Sequence, residues 1–288
     1  MQPVIVRLLG GMGNQLFQYA MGRKLADERG VDLLLDTRFV KRKGHVSGLA
    51  IELFNVRATF ISEQQAQHFS EQSWKLSRAL RRFWRPLMGF YHETTFTYDL
   101  KLANSKPGLM LSGFWQSYKY FPSPSVLQKD LALVSPFTEH QQTYAQTMAS
   151  CNSVAVHARR GDYVNDAKAL AKHGVCSVEY YRHAVAKMEE LVESPVFYVF
   201  SDDPVWVKQN LPLKNAIFVS EEGFDQEIDL MLIASCKHQI IANSSFSWWG
   251  AYLNSYANKQ VVLPQPWFDA PELSDKDMSP DNWIRLPK

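Results

Sequence analysis

The sequence predicts an α/β chain of two Rossmann-like halves, on three observations. Short apolar runs without strict alternation, such as Val154-Ala-Val156 and Ile240-Ile-Ala242, read as strands buried on both faces, as in parallel sheets. They alternate with segments of helical length, as βαβ units do. The 288 residues also exceed one ordinary domain. We therefore divide the chain into 1–150 and 151–288, joined by a linker near 150–153, with a ligand cleft expected between the halves.

The elements follow in order. Residues 4–9 predict a buried strand, 10–13 a tight glycine turn, 14–29 a helix with Leu16, Tyr19, Ala20 and Leu25 near helical spacing, and 31–36 a second strand. The middle is less regular, with helix patterns at 62–85 and 117–128, a strand near 109–111, and punctuation at Pro122, Pro124 and Pro136. The second half alternates cleanly. Strands are predicted at 153–158, 196–200, 216–219, 238–242 and 260–263, and helices at 177–193, 204–210, 225–236 and 244–256, which is a doubly wound order. The Pro- and Asp-rich tail from Pro264 is expected to wrap over the surface.

Composition excludes several classes. With 31 basic and 29 acidic residues the net charge is +2, which supplies no basic surface for nucleic acid. Cys151, Cys176 and Cys236 lie far apart without zinc or disulfide spacing, as expected in a reducing compartment. No apolar run approaches the roughly 18 residues of a membrane span, and the N-terminus enters a strand without a leader, so the chain reads as cytoplasmic. The basic, aromatic stretch 74–85 predicts a helix packed through Leu76, Leu80 and Phe83, with peripheral contact to an anionic membrane as the alternative. Aromatic residues make up 13%, a supply of rings that a sugar-handling cleft can use.

Three predicted strands of the second half end in polar clusters. Residues 153–158 run into His157-Ala-Arg-Arg-Gly-Asp-Tyr163, 196–200 into Ser201-Asp-Asp-Pro204, and 238–242 into Asn243-Ser-Ser-Phe-Ser-Trp-Trp-Gly250. Ligands of open α/β sheets bind at strand carboxyl ends, and an arginine fork suits phosphate oxygens. Ser244 and Ser245 open a helix whose N–H groups and dipole favour an anion. The structural alternatives are a surface Arg/Asp pair, a simple N-cap before a helix buried through Trp248 and Trp249, and helix capping by Asp202 or Asp203. In the first half, Gly10, Gly11 and Gly13 bring backbone close to a ligand, with Asn14 and Gln15 beside them. Asp36 stands where a ribose-binding acid would, but Leu16 occupies the last glycine position of the dinucleotide fingerprint, which argues against an NAD(P) site.

Taken together, Gly10-Gly-Met-Gly-Asn-Gln-Leu-Phe-Gln-Tyr-Ala20, the 157–163 and 201–203 clusters, and Ile241-Ala-Asn-Ser-Ser-Phe-Ser-Trp-Trp-Gly-Ala251 resemble the bacterial α-1,2-fucosyltransferases of glycosyltransferase family 11. The resemblance implies a GT-B fold, two Rossmann-like domains facing each other across a cleft. It implies an acceptor-side first half, a second half that binds GDP-L-fucose, a galactose-terminated glycan acceptor, inversion, and no metal. The only D-x-D, Asp275-Lys-Asp277, is read as a solvated loop. By the same resemblance Arg159 contacts the β-phosphate, assisted by Arg160, His157 lies beside phosphate or ribose, and Ser244, Ser245 and Phe246 offer donors. Asp202, Asp203, Gly11 and Gly13 are placed on the donor site, Asp229 reads the guanine edge, and Asn14 borders the catalytic centre. Asp162 leads as the catalytic base, although it could instead orient the arginines, and Ala167 stands where some related enzymes carry a glutamate. Another nucleotide-sugar transferase, or a non-catalytic nucleotide- or glycan-binding module, are the rival readings.

Overall fold

The computed structural model describes residues 2–40, 48–61, 90–105, 108–161, 164, 166–211 and 213–288. The predicted helix 62–85, with its basic stretch 74–85, lies outside these residues, as does Asp162. The chain forms two compact units, Met1–Val134 with Lys276–Met278, and Ser135–Asp275 with Ser279–Lys288.

Unit 1 contains β1 (Val4–Arg7), α1 (Met12–Arg29), β2 (Leu33–Asp36), β3 (Thr59–Phe60), β4 (Phe90–His92), β5 (Met110–Ser112) and α2 (Pro124–Asp130). Its parallel sheet runs β3-β2-β1-β5-β4, so the strand order reverses between β1 and β5. Both faces of β1 are covered, which is why Val4-Ile-Val-Arg7 needs no polar alternation. Helix α1 is buried almost all round and ends at Gly30, whose left-handed backbone sends its N–H back to Ala26 and Asp27. A buried network fixes that helix: Tyr19 Oη donates to Asp130 at 2.7 Å and accepts the Arg57 N–H, while Arg57 Nε donates to the other Asp130 oxygen.

Unit 2 contains α3 (Glu139–Ser150), β6 (Ser153–Ala158), α4 (Ala167–His173), α5 (Val178–Leu191), β7 (Val196–Ser201), α6 (Pro204–Asn210) and β8 (Ala216–Phe218). It continues through α7 (Gln226–Ser235), β9 (His238–Ile240), α8 (Ser245–Leu253), β10 (Val261–Gln265) and β11 (Ile284–Pro287). All strands are parallel in the order β11-β10-β9-β6-β7-β8, the doubly wound arrangement, with its switch point between β6 and β9. Strand β6 is buried along its whole length, and α5 covers the sheet with Tyr180, Tyr181, Ala184, Val185 and Met188.

The structure corrects four expectations. The helix predicted over 117–128 is a single tight turn, Tyr118–Tyr120, and then α2, because Pro122 and Pro124 hold Phe121 and Ser123 extended. Helix α3 was not predicted and belongs to unit 2; it buries only Met148, so it has almost no apolar period, yet Thr138 and Gln141 form a capping box that starts it. The tail is not a surface wrap, since Trp267, Phe268, Met278 and Trp283 are buried and β11 extends the sheet. Nor is the D-x-D triplet solvated: Asp277 pairs with Lys119 and accepts the Tyr98 N–H, while Asp275 accepts the Trp267 N–H.

Gly250 shows how closely unit 2 is packed. A Cβ there would overlap the Ile233 side chain of α7, against which α8 lies. Gly250→Ala is therefore expected to destabilise the protein by about 1–3 kcal/mol through overpacking, read as a lower urea midpoint at unchanged slope.

Candidate active site

The carboxyl edge of the unit 2 sheet is assembled by strand register. Val156 pairs with Ile240 and Ala158 with Ser201, so the chain leaving β6 emerges between the ends of β9 and β7. A crevice opens at such a reversal of strand order.

The predicted cluster gathers here, with the two arginines in different roles. Arg159 Nη1 lies 3.2 Å from Asp202, with a side chain 37% exposed. Arg160 is committed to protein: its guanidinium stacks 4.0 Å above the Trp206 ring, and Nε lies 3.4 Å from Asp203. The two carboxylates are occupied as well. Asp202 accepts the Arg160 backbone N–H at 2.9 Å, and Asp203 caps α6 by accepting the Trp206 N–H at 3.0 Å. In the structure Arg160, Asp202 and Asp203 hold the loop that carries Arg159. Trp206, which the sequence analysis did not single out, completes that support.

His157 lies at the end of β6, its ring 5.5 Å from Phe246, and its backbone carbonyl accepts the Tyr181 hydroxyl. Burial, with the Arg159 charge beside it, pushes the imidazole pKa down to about 3, so the ring is neutral at pH 7. Its buried Nδ1 has no hydrogen-bond partner among the described residues. Across the crevice, Ser244 caps α8 by accepting the Phe246 N–H, and Ser245 and Phe246 are half-buried in the first turn. Trp248 and Trp249 are fully buried, so this segment is at once a capped core helix and a helix N-terminus aimed at the edge. Asn243 fastens the turn below it, donating to the carbonyls of His173, Gly174 and Trp267.

Asp229 sits in the first turn of α7, the helix packed on α8. Its carboxyl is pushed up to about 7 by burial, with Glu227 adding to the effect, and Oδ1 has no partner among the described residues. Asn14, Gly11 and Gly13 belong to the corresponding edge of unit 1. There Gly11 opens α1, Gly13 is buried, and Asn14 Oδ1 accepts from Gln116 at 2.7 Å. Gln15 does not reach toward a ligand: it is fully buried and its amide is spent on backbone at Gly10, Gly48, Ala50 and Ile51.

Compared with known proteins, residues 3–287 match the family model described as Glycosyl transferase family 11. The chain belongs to glycosyltransferase family 11. It is 35% identical, over the full length of both chains, to an alpha-1,2-colitosyltransferase of Escherichia coli. It is 26% identical to the galactoside 2-alpha-L-fucosyltransferase Sec1 of Mus musculus, over 86% of this chain and 63% of that one. Among solved structures, the NodZ alpha-1,6-fucosyltransferase soaked with GDP-fucose aligns with TM-score 0.50 at 14% identity, over 88% of this chain and 93% of that one. The fold class is that of the GT-B fucosyltransferases, with two parallel-sheet α/β units. No described helix of this family 11 chain is long and apolar enough to cross a membrane.

The raised Asp229 carboxyl makes a stability prediction. The folded state holds this proton up to about 7 whereas an ordinary carboxyl releases it near 3.8, so the contribution is full below about 3.8 and is lost as pH rises toward and through about 7. Asp229→Asn should flatten that part of the profile, measured as urea-unfolding free energy against pH for both proteins.

Proposed function

We propose that this family 11 glycosyltransferase moves L-fucose from GDP-L-fucose to the 2-hydroxyl of a terminal galactose, inverting the anomeric centre. The observation that carries the reading is the edge of unit 2, where an arginine, a neutral buried imidazole with an unmet ring nitrogen, and a helix N-terminus meet at a switch point.

In this reading the diphosphate lies against Arg159 and the first turn of α8. When the fucosyl C1–O bond breaks, GDP takes the bonding pair, and the sugar passes through an oxocarbenium-like transition state. Fixed positive groups at the β-phosphate then lower the barrier. Arg159 is suited to this because its contact with Asp202 is half-exposed and therefore weak, and a phosphate oxygen competes for the same fork. His157, neutral, donates or accepts a hydrogen bond without adding charge. Asp229 accepts the N–H pair on the guanine edge, a role supported by its unmet Oδ1 in the first turn of α7. The galactose 2-oxygen attacks the opposite face and its proton passes to Asp162, a role assigned from the sequence. In this reading the donor and acceptor glycan are the partners, and the enzyme works without a metal cofactor.

A second donor is favoured by one observation, the name of the full-length Escherichia coli relative, since colitose lacks the 3-hydroxyl that fucose carries. Assays with GDP-fucose and GDP-colitose on lactose separate the two by kcat/KM. On wild-type protein GDP should raise the melting temperature whereas UDP and ADP should not, and Arg159→Ala should abolish the shift and lower kcat by about 10²–10³. No shift with any nucleotide would sink the transferase reading in favour of a glycan-binding module. Asp162→Asn should abolish transfer while leaving GDP affinity intact; loss of GDP affinity as well would make Asp162 an orienting residue.

A further inference from the structure

At the carboxyl edge of unit 2 the ladder of backbone hydrogen bonds runs short of donors. In a parallel pair, a residue that faces a neighbouring strand bonds to it through both its N–H and its carbonyl. The Ile241 N–H donates to Val262 at 2.9 Å, so the Ile241 carbonyl also faces β10, where the register sets residue 264 to answer it. Residue 264 is proline, which has no N–H to give. On β6 the Val196 N–H donates to Asn152, so the even-numbered carbonyls face β7 and the odd-numbered ones face β9. Pairing with β9 ends at Val156 and Ile240, which leaves the His157 carbonyl, one residue on, where the strands part.

Two adjacent side chains of α5 meet these two carbonyls. Tyr180 Oη donates to Ile241 at 2.6 Å, with the Val262 carbonyl at 3.4 Å, and Tyr181 Oη donates to His157 at 3.2 Å. Both tyrosines are fully buried, where a carbonyl left unanswered is costly. Ser177 starts α5 by accepting the Tyr180 N–H at 3.1 Å, which sets both rings in the first turn. Cys176, just before that cap, donates to Asn243 at 3.5 Å. Tyr181 also lies 6.4 Å from Trp206, edge-on to the ring over which Arg160 stacks. One short segment, 176–181, thus fastens the two strand ends that lead into Arg159 and Ser244.

We propose that Tyr180 and Tyr181 are positioning residues of the unit 2 site: their hydroxyls stand in for missing ladder donors and so set the spacing between the strand ends that carry Arg159 and the first turn of α8. Both are buried, so each acts through the backbone it holds and not by touching a ligand. That the site so spaced takes a nucleoside diphosphate rests on the function proposed above; that the two hydroxyls hold the strand ends does not.

Tyr180→Phe and Tyr181→Phe each remove one oxygen and keep the ring. Tyr198→Phe is the control, because Tyr198 is equally buried on the same sheet but its hydroxyl lies 3.7 Å from Cys151, ahead of β6. Deuterium exchange of residues 156–161 and 241–247, read without nucleotide, should quicken in the first two variants and not in the control. GDP titration calorimetry should show affinity falling by about tenfold in each of the two and staying within about twofold of wild type in Tyr198→Phe. Pro264→Ala, which restores a backbone N–H opposite Ile241, should recover most of the affinity lost by Tyr180→Phe and none of that lost by Tyr181→Phe. Should Tyr180→Phe fail to fold, Tyr181→Phe carries both readouts. Unchanged affinity in both tyrosine variants, or an equal loss in Tyr198→Phe, overturns the positioning role. A wild type that does not bind GDP removes the nucleotide reading instead; exchange then decides the role of the hydroxyls, faster rates supporting it and unchanged rates overturning it.

Discussion

One carboxylate, Asp202 at the end of β7, sets the geometry on which the unit 2 edge depends. It accepts the Arg160 backbone N–H and touches the Arg159 guanidinium, and Gly161 supplies the room, since a Cβ there would lie 2.5 Å from Asp202 Oδ2. The two contacts differ in weight. A hydrogen bond from a backbone N–H to a charged carboxylate contributes roughly 1.5–3 kcal/mol, whereas a half-exposed ion pair contributes about 0–1 kcal/mol. Asp202 therefore holds the backbone firmly and the guanidinium loosely. The backbone that carries Arg159 is thus fixed more firmly than the contact between its guanidinium and Asp202.

The same topological rule, applied twice in one chain, leaves different chemistry at each edge. In unit 2 the strand ends carry a cation, a neutral imidazole and a helix N-terminus. In unit 1 the corresponding edge carries the Asn14 and Gln116 amides, and the acid that could have served a nucleotide is already paired. Asp36 at the end of β2 is fully buried; burial alone would raise its carboxyl, but the paired hydrogen bonds from Arg38 at 2.8 and 2.9 Å, with Arg7 nearby, hold it below the usual range. Leu16, in the place of the fingerprint's last glycine, is fully buried. The dinucleotide reading is closed by packing as well as by sequence.

Much of unit 2 was legible because its strands and helices obey the periods that burial imposes. Ser153–Ala158 and Pro204–Asn210 stand where the sequence predicts them. What stayed hidden depends on contacts between residues far apart in the chain. Helix α3 has no apolar stripe, and only its capping box announced it. The commitment of Arg160 to Trp206 and Asp203 cannot be read from Arg-Arg-Gly, which shows two equal guanidiniums. The Gln116 amide donates to Asn14, 102 positions earlier in the chain, and the left-handed Trp115 is a dihedral angle, so neither has a local signature.

Two of the displaced titrations in unit 2, those of His157 and Asp229, constrain mechanism more than either residue type does. A general base works best with a pKa near the working pH, and His157, held at about 3, is a poor proton acceptor however near it lies to the reacting atoms. Asp229, at about 7, has the pKa of a base, but it stands in the first turn of a helix packed behind α8, and geometry ranks before pKa. On the proposed binding mode a diphosphate beside His157 raises that ring, and guanine N–H donors lower Asp229. The imidazole must climb from about 3 through several units before it takes up a proton near neutrality, whereas the carboxyl starts at about 7 and needs only a small fall to release one. On that binding mode nucleotide binding near pH 7 releases a net proton, from Asp229.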